Sequence, residues 1–273
     1  SSYLQAETYL TKALQIAPGL RLARQMLIAS YLRAGQPGKA LDALQPVLGS
    51  IEKDSALLAL AGEAYLQHGD SNKATEYLAK ASKLEPDNAA KKTSLAVAHM
   101  AQGNSENGLQ ELEQISISDK GITADLALIA AHLRSNQLDK ALKAIDGLEK
   151  KQPENPATYN LRARALLARK DVDGARKNFE KALSVNPTFF PAVASLASLD
   201  IINKKPDDAR KRFETLLAVD PKNIQALLAL AELKAANGGT ADEITSAIGK
   251  AISANPSEIA PRLALIQYHL KNK

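Results

Sequence analysis

Four histidines are the side chains best suited to metal binding or acid–base chemistry in this sequence of 273 residues: His68, His99, His132 and His269. Histidine ligands must lie about 2 Å from a shared metal ion. His99 and His132 are 33 residues apart, at equivalent places in neighbouring repeats, and packed helices are separated by about 10 Å. His68 and His269 have no partner at ligand spacing. We therefore predict no metal or cofactor site, and interpret His99 and His132 as packing residues.

No other residue pattern predicts catalysis. Cysteine is absent, which excludes disulfides, thiolate ligands and a cysteine nucleophile. Carboxylates lie beside basic residues, as in 149–151 and 207–210, a pattern typical of solvated helix faces rather than of a general acid and base. No serine, histidine and acid form a nucleophile pattern, and Gly238-Gly239 lacks the remainder of a phosphate loop. The sequence predicts no catalytic residue and no enzymatic activity.

Charge and hydropathy exclude two classes of partner. Lys plus Arg outnumber Asp plus Glu by 35 to 30, which gives a net charge of +5. The two signs are interspersed, without the basic stripe that follows a phosphate backbone. No stretch approaches the roughly 20 apolar residues of a membrane span. We expect neither a nucleic-acid partner nor a membrane span in this chain.

Prolines mark a repeat of about 34 residues. They are Pro18, Pro86, Pro153, Pro187, Pro221 and Pro256. Within each period, apolar residues recur at i, i+3, i+4 and i+7 on both sides of a central break, which predicts two amphipathic helices. Only 4% of residues are aromatic, so small aliphatic side chains must provide most of the packing between these helices.

The unit at 55–88 carries a family resemblance. Its first helix has an apolar face ending in Gly62 and Tyr65, Gly69-Asp70 forms the break, and Ala74 and Leu78 follow on the second helix. This resembles the tetratricopeptide pattern W-x2-L-G-x2-Y…A-x3-F…P. The alanine recurs in phase as Ala6, Ala40, Ala74, Ala141, Ala175 and Ala209. The resemblance implies an all-α fold, a right-handed superhelical solenoid of antiparallel helix pairs.

The repeat phase predicts one continuous array over 1–273. Residues 1–18 read as the second helix of a repeat, about 21–256 as seven complete repeats, and 257–273 as a first helix. Solenoids need polar end caps, whereas both ends here carry residues typical of a core. They are Leu4, Leu10 and Leu14 at one end and Leu263, Ile266 and Leu270 at the other. We therefore expect the chain to be a fragment of a longer protein with more repeats on both sides.

In tetratricopeptide arrays the first helices line an inner, concave wall, and the phase predicts which residues face a partner there. We call these positions the first-helix wall. Its candidate binding residues are Gln25, Arg33, Glu63, Gln67, Met100, Arg134, Asn160, Arg164, Ile201 and Glu232. This mixed set favours an extended or helical peptide of another protein. Asn160 with Arg164 is only a fragment of the Lys and Asn clamp that holds C-terminal carboxylates in some family members, so we do not expect a chaperone-tail adaptor.

Several stretches are more particular than the general repeat, namely 140–156, 186–192, 204–213 and 260–265. Together they resemble the large tetratricopeptide lipoproteins of the bacterial PEP-CTERM/exosortase system, known as PrsT. The resemblance implies a periplasmic or outer-membrane protein with an N-terminal lipid anchor outside this chain. It also implies a scaffold role in exopolysaccharide export or protein sorting. The alternative is a cytosolic adaptor or regulator that binds peptide segments of its partners.

Overall fold

The computed structural model describes residues 2–272, and the side chains from residue 5 onward. All regular secondary structure in this range is helical. The helices up to Lys151 are α1 (Ser2–Ile16), α2 (Arg21–Arg33), α3 (Pro37–Leu44), α4 (Ser55–His68), α5 (Ser71–Leu84), α6 (Ala89–Ala101), α7 (Ser105–Ser118), α8 (Thr123–Arg134) and α9 (Leu138–Lys151). The remainder are α10 (Pro156–Ala168), α11 (Val172–Val185), α12 (Phe190–Ile202), α13 (Pro206–Val219), α14 (Ile224–Ala236), α15 (Ala241–Ala254) and α16 (Ala260–Lys271). The predicted all-α class is confirmed for this part of the chain.

The chain forms two compact units that divide after Lys151. In the N-terminal unit, the first helices of the pairs are α2, α4, α6 and α8, and each packs on the second helix that follows it. In the C-terminal unit, the first helices are α10, α12 and α14, paired with α11, α13 and α15, and α16 packs on α15 and α14. Each unit is therefore a stack of helix pairs.

The pair α4 and α5 shows how the sequence produces one repeat. Gly69 ends α4 in the left-handed region at φ 95°, and the Asp70 carboxylate accepts a hydrogen bond of 3.0 Å from the Lys73 amide at the start of α5. A Cβ added to Gly62 would overlap Leu78 and lie 3.1 Å from the Ala74 carbonyl oxygen. The absence of a side chain at Gly62 thus allows the two helices to approach closely.

The core repeats with the predicted phase. The second-helix alanines from Ala40 onward are fully buried and the larger residues four positions later are buried, whereas Ala6 is half-buried. Leu112 holds the same place four positions after Gly108, and the other larger residues are Leu44, Leu78, Ile145, Phe179 and Phe213. Burying one such side chain stabilises the fold by about 1.5–3 kcal/mol. The periodic pattern read from the sequence is therefore the core of each unit.

One repeat departs from this pattern in a way that the period does not predict. Helix α3 ends at Leu44 and continues as a 3-10 helix over Gln45–Ser50. Pro46 has no amide to donate to the Asp42 carbonyl, and its ring crowds that carbonyl, so the α-helical ladder cannot continue. Ile51 then enters the core and is fully buried. The 3-10 helix and Ile51 lie where the 34-residue period predicts a proline that this repeat lacks.

The two ends differ in exposure. Leu263, Ile266 and Leu270 on α16 are exposed, whereas Leu10 and Leu14 on α1 are half-buried. The side chain of Leu4 lies outside the described residues. The expectation of further repeats beyond both ends stays a prediction.

Candidate peptide-binding surface

In the N-terminal unit, two polar residues of the first-helix wall are held by neighbouring repeats. Glu63 on α4 lies 3.5 Å from the Ser94 hydroxyl on α6. Gln25 on α2 donates a hydrogen bond of 3.5 Å to Asp54, the residue that caps α4. Burial raises the pKa of the Glu63 carboxyl, and the hydrogen bond from Ser94 opposes that shift. Both side chains are thus fixed in place, and Glu63 is only partly solvated.

The other wall residues of this unit divide into exposed and packed side chains. Arg33, Gln67 and Arg134 are exposed near the C-terminal ends of α2, α4 and α8. Met100 on α6 is half-buried and packs against Gly108 of α7, where an added Cβ would overlap its side chain. The cationic residues are therefore available to a ligand, whereas Met100 belongs largely to the core.

In the C-terminal unit, the wall is more apolar and more accessible. Ile201 and Ile202 at the end of α12 are 48% and 74% exposed. Arg164 on α10 is exposed, while the Oδ1 atom of Asn160, one turn earlier, is buried and accepts no hydrogen bond from the described residues. An unpaired buried oxygen of this kind costs about 1–3 kcal/mol.

A cleft lies beside this part of the wall. It has a volume of about 690 Å³ between α14, α15 and α16, and its lining includes Leu228, Glu232 and Tyr268. Glu232 is exposed at its edge. The size is in the range of ligand-binding clefts, which combine an apolar lining with a few polar groups. The structure therefore places the predicted Glu232 next to a recess with a mixed apolar and polar lining.

Two of the four histidines are each engaged by a side chain of the same repeat. His99 Nδ1 lies 3.0 Å from a Glu111 carboxylate oxygen, and His132 Nδ1 lies 3.0 Å from Gln137 Oε1. His132 is buried. Across residues 2–272, no group of three or more histidine or acidic side chains is arranged to hold a metal ion. The geometry fits the interpretation of His99 and His132 as packing residues.

Sequence reasoning missed two buried carboxylates. Lys151 lies in a sequence run typical of a solvated face, but its ammonium group donates to the Asp125 carboxylate at 2.6 Å and to the Ser116 carbonyl at 2.6 Å. Asp200 is also buried and accepts hydrogen bonds from Arg176 at 2.9 Å and from Arg212. An acid within an otherwise apolar helix face, as in Leu199-Asp200-Ile201, is the sequence signal for such a pair.

The repeat prolines have a second role that the sequence did not indicate. In three repeats, the residue six positions after the proline donates a hydrogen bond to the proline carbonyl. Arg24 does so at 3.0 Å, Tyr159 at 2.8 Å and Arg262 at 2.5 Å. These bonds satisfy a carbonyl at the start of the first helix and so fix the entry of the chain into each repeat.

Models of the tetratricopeptide-repeat family match residues 59–120, 126–189 and 166–233, which together make up more than half of the chain. The chain belongs to the tetratricopeptide-repeat family. Such proteins are generally non-catalytic scaffolds that bind other proteins or peptides. The matches are to the family as a whole, and the narrower resemblance to the PEP-CTERM lipoproteins stays a prediction.

Individual relatives of this tetratricopeptide protein agree with the assignment. It is 31% identical over 149 residues to tetratricopeptide repeat protein 37 of Xenopus laevis, which covers 52% of this chain and 9% of the relative. It is similar to yeast Tom70, with a TM-score of 0.64, 19% identity, and coverage of 98% of this chain and 58% of the other.

The structure of the APC/C hetero-tetramer Cut9–Hcn1 is a further match, with a TM-score of 0.52, 15% identity, and coverage of 96% and 52%. At these identities, the structural likenesses show the fold alone. The chain spans only about half the length of these structural relatives and a small part of the frog protein. Separately, none of the helices within residues 2–272 is long and apolar enough to cross a bilayer.

Proposed function

We propose that this tetratricopeptide array is a protein-interaction scaffold whose first-helix wall binds an extended or helical segment of a partner polypeptide. The proposal rests on a pair of apolar side chains that are exposed to solvent at equivalent places two repeats apart. Ile201 and Leu270, each 14 residues after its repeat proline, are 48% and 66% exposed. Exposed aliphatic residues repeated on one helix face favour a partner with apolar side chains at matching intervals.

The polar members of the wall would fix the partner's register. Arg164 is exposed on α10, and Glu232 lies beside the cleft against α16. The Arg164 guanidinium would donate a hydrogen bond to a backbone carbonyl of a bound segment. Apolar contacts would provide most of the binding affinity, and these polar groups would determine the orientation of the bound segment.

Peptide display against the immobilised chain tests the proposal. We expect Ile202→Asp and Arg164→Ala each to weaken a selected non-acidic peptide by about tenfold or more, because each removes one central contact. The matched control is Val219→Asp, which places the same charge at an exposed apolar residue at the end of the second helix α13. Equal losses in the wall variants and the control, with helicity intact by circular dichroism, would refute the proposal.

A finer proposal rests on the resemblance of residues 140–273 to the PrsT lipoproteins. In that account the full-length protein is lipid-anchored in the bacterial envelope and organises exopolysaccharide export or PEP-CTERM protein sorting. Fractionation of cells that make the full-length protein, with metabolic labelling by a radioactive fatty acid, tests the location. Label and protein should appear together in the envelope fraction, and an unlabelled cytosolic protein would contradict this proposal while leaving the scaffold role untouched.

One observation favours the alternative of a cytosolic adaptor or regulator. The relative at 31% identity comes from a frog, an organism without a bacterial envelope, so the repeat pattern is shared with proteins that act elsewhere. An unlabelled cytosolic protein in the fractionation experiment supports this alternative.

A further inference from the structure

A cationic cleft on the C-terminal unit lies away from the first-helix wall. Its centre is Asp200 on α12, at the repeat position that Tyr65 occupies on α4. Arg176 reaches the Asp200 carboxylate from α11, and Arg212 reaches it from α13. One buried carboxylate thus holds two guanidinium groups from successive second helices. Because residues on an α-helix are separated by 100°, Asp200 and the wall residue Ile202 point to nearly opposite sides of α12.

The cleft around this cluster has a volume of about 600 Å³. Besides the two arginines, its lining includes Lys205 and Lys211, both exposed and without an ion-pair partner among the described residues. Asp208 is the second carboxylate in the lining. Four cationic side chains therefore face two carboxylates. One of these carboxylates, Asp200, is already engaged by both guanidinium groups.

The remainder of the lining includes the apolar residues Leu183, Val193 and Leu216 and the polar residues Asn203 and Thr215, and no aromatic ring lines it. Val193 and Leu216 are buried. Single-stranded nucleic acids bind to aromatic platforms in a continuous basic groove, and this cleft has neither the rings nor an uninterrupted positive charge. An acidic polypeptide segment suits it better, since the guanidinium and ammonium groups pair with its carboxylates. The half-buried Leu183 offers an apolar contact beside them.

We propose that this cleft binds an acidic segment of a partner polypeptide. Lys205 and Lys211 contact its carboxylates first, and the guanidinium groups that Asp200 positions provide the inner contacts. The Asp200 anchor fixes both arginines before the ligand arrives, which lowers the entropic cost of binding. This site is independent of the first-helix wall, so the array can bind two segments with different chemistry.

Fluorescence anisotropy with a labelled peptide of repeated Asp-Glu-Leu units tests the proposal. The matched uncharged probe is an Asn-Gln-Leu peptide of the same length, and a labelled single-stranded oligonucleotide tests for nucleic acid. We expect the acidic peptide to bind with an affinity that falls as salt is raised, and the uncharged peptide to bind at least about tenfold more weakly.

Two double variants with the same charge change locate the site. Lys205→Glu with Lys211→Glu should weaken the acidic peptide by about tenfold or more. Lys177→Glu with Lys222→Glu changes exposed lysines outside the cleft and should change the affinity by less than about twofold. Both variants should retain the helical circular dichroism of the unaltered chain. Equal weakening by both pairs, absence of acidic-peptide binding, or tighter binding of the oligonucleotide would each overturn the proposal.

Discussion

Lys151 Nζ lies 2.6 Å from Asp125 Oδ2, which joins the last turn of α9 to the first turn of α8. The same ammonium group donates to the carbonyl oxygens of Ser116 at 2.6 Å and Gly121 at 3.0 Å. One charged side chain therefore neutralises a buried carboxylate and also satisfies carbonyls at the end of α7 and in the loop after it.

Replacing Lys151 should destabilise the chain strongly. In Lys151→Met the aliphatic part of the side chain is kept, but Asp125 remains buried without its cation, a loss of about 3–5 kcal/mol in the free energy of unfolding. Urea denaturation followed by circular dichroism measures it. Lys150→Met is the control, since Lys150 is exposed and its replacement should change stability by less than about 0.5 kcal/mol. Similar small changes in both variants would show that the ion pair adds little.

Two glycine substitutions should have effects of opposite sign. Gly62→Ala places a methyl group against Leu78 and the Ala74 carbonyl, so overpacking should cost about 1–3 kcal/mol. At Gly249, within α15, an added Cβ meets no atom within 4 Å. Gly249→Ala should therefore stabilise the helix by about 0.5–1 kcal/mol. Thermal unfolding of both variants checks this, and a stabilised Gly62→Ala would contradict the close contact of α4 with α5.

The stability effect of Glu63 should depend on pH. Burial raises the pKa of the Glu63 carboxyl, so its folded-state pKa exceeds that of the unfolded chain. The protonated carboxyl therefore favours the folded state. This contribution to the free energy of unfolding is fully present below the ordinary glutamate pKa of about 4.3 and is lost as pH rises through the raised value. Glu63→Gln removes the buried charge that lowers stability at neutral pH. The melting temperature of the variant relative to the unaltered chain should therefore increase between acidic and neutral pH.

Glu85→Gln provides the matched comparison for this prediction. Hydrogen bonding from Lys91 lowers the pKa of Glu85 to about 2, so its stabilising effect is present at neutral pH and is lost as pH falls through that value. The melting temperature of this variant relative to the unaltered chain should decrease as pH rises from acidic to neutral. Parallel changes in the Glu63 and Glu85 variants would contradict the assigned pKa directions.

Local features of the fold could be predicted from the sequence because their causes lie within one helical turn. Gly69 and Asp70 form a helix end and a cap through neighbouring backbone groups, and the recurring alanines lie at close helix contacts. Lys151 could not be placed in this way, because its partner Asp125 is 26 residues away. The sequence run around Lys151 resembles an ordinary solvated face, and only tertiary packing shows that its side chain turns inward.

The candidate site was predictable to a similar degree. Repeat phase alone located Arg164 and Ile201 on exposed parts of the first helices. It could not show that Met100 is drawn toward the core, since that depends on the space left by Gly108 on the neighbouring helix. Nor could it show that Gln25 is tied to Asp54 of the next repeat.

Photo-cross-linking with mass spectrometry locates the peptide-binding surface on the chain. A display-selected, non-acidic peptide carrying a photoreactive side chain is irradiated with the intact chain, and the linked residues are identified. We expect cross-links on the first helices of the C-terminal unit, at or beside Ile201, Ile202 and Glu232. Cross-links confined to the second helices α11 and α13 would contradict a binding role for the first-helix wall.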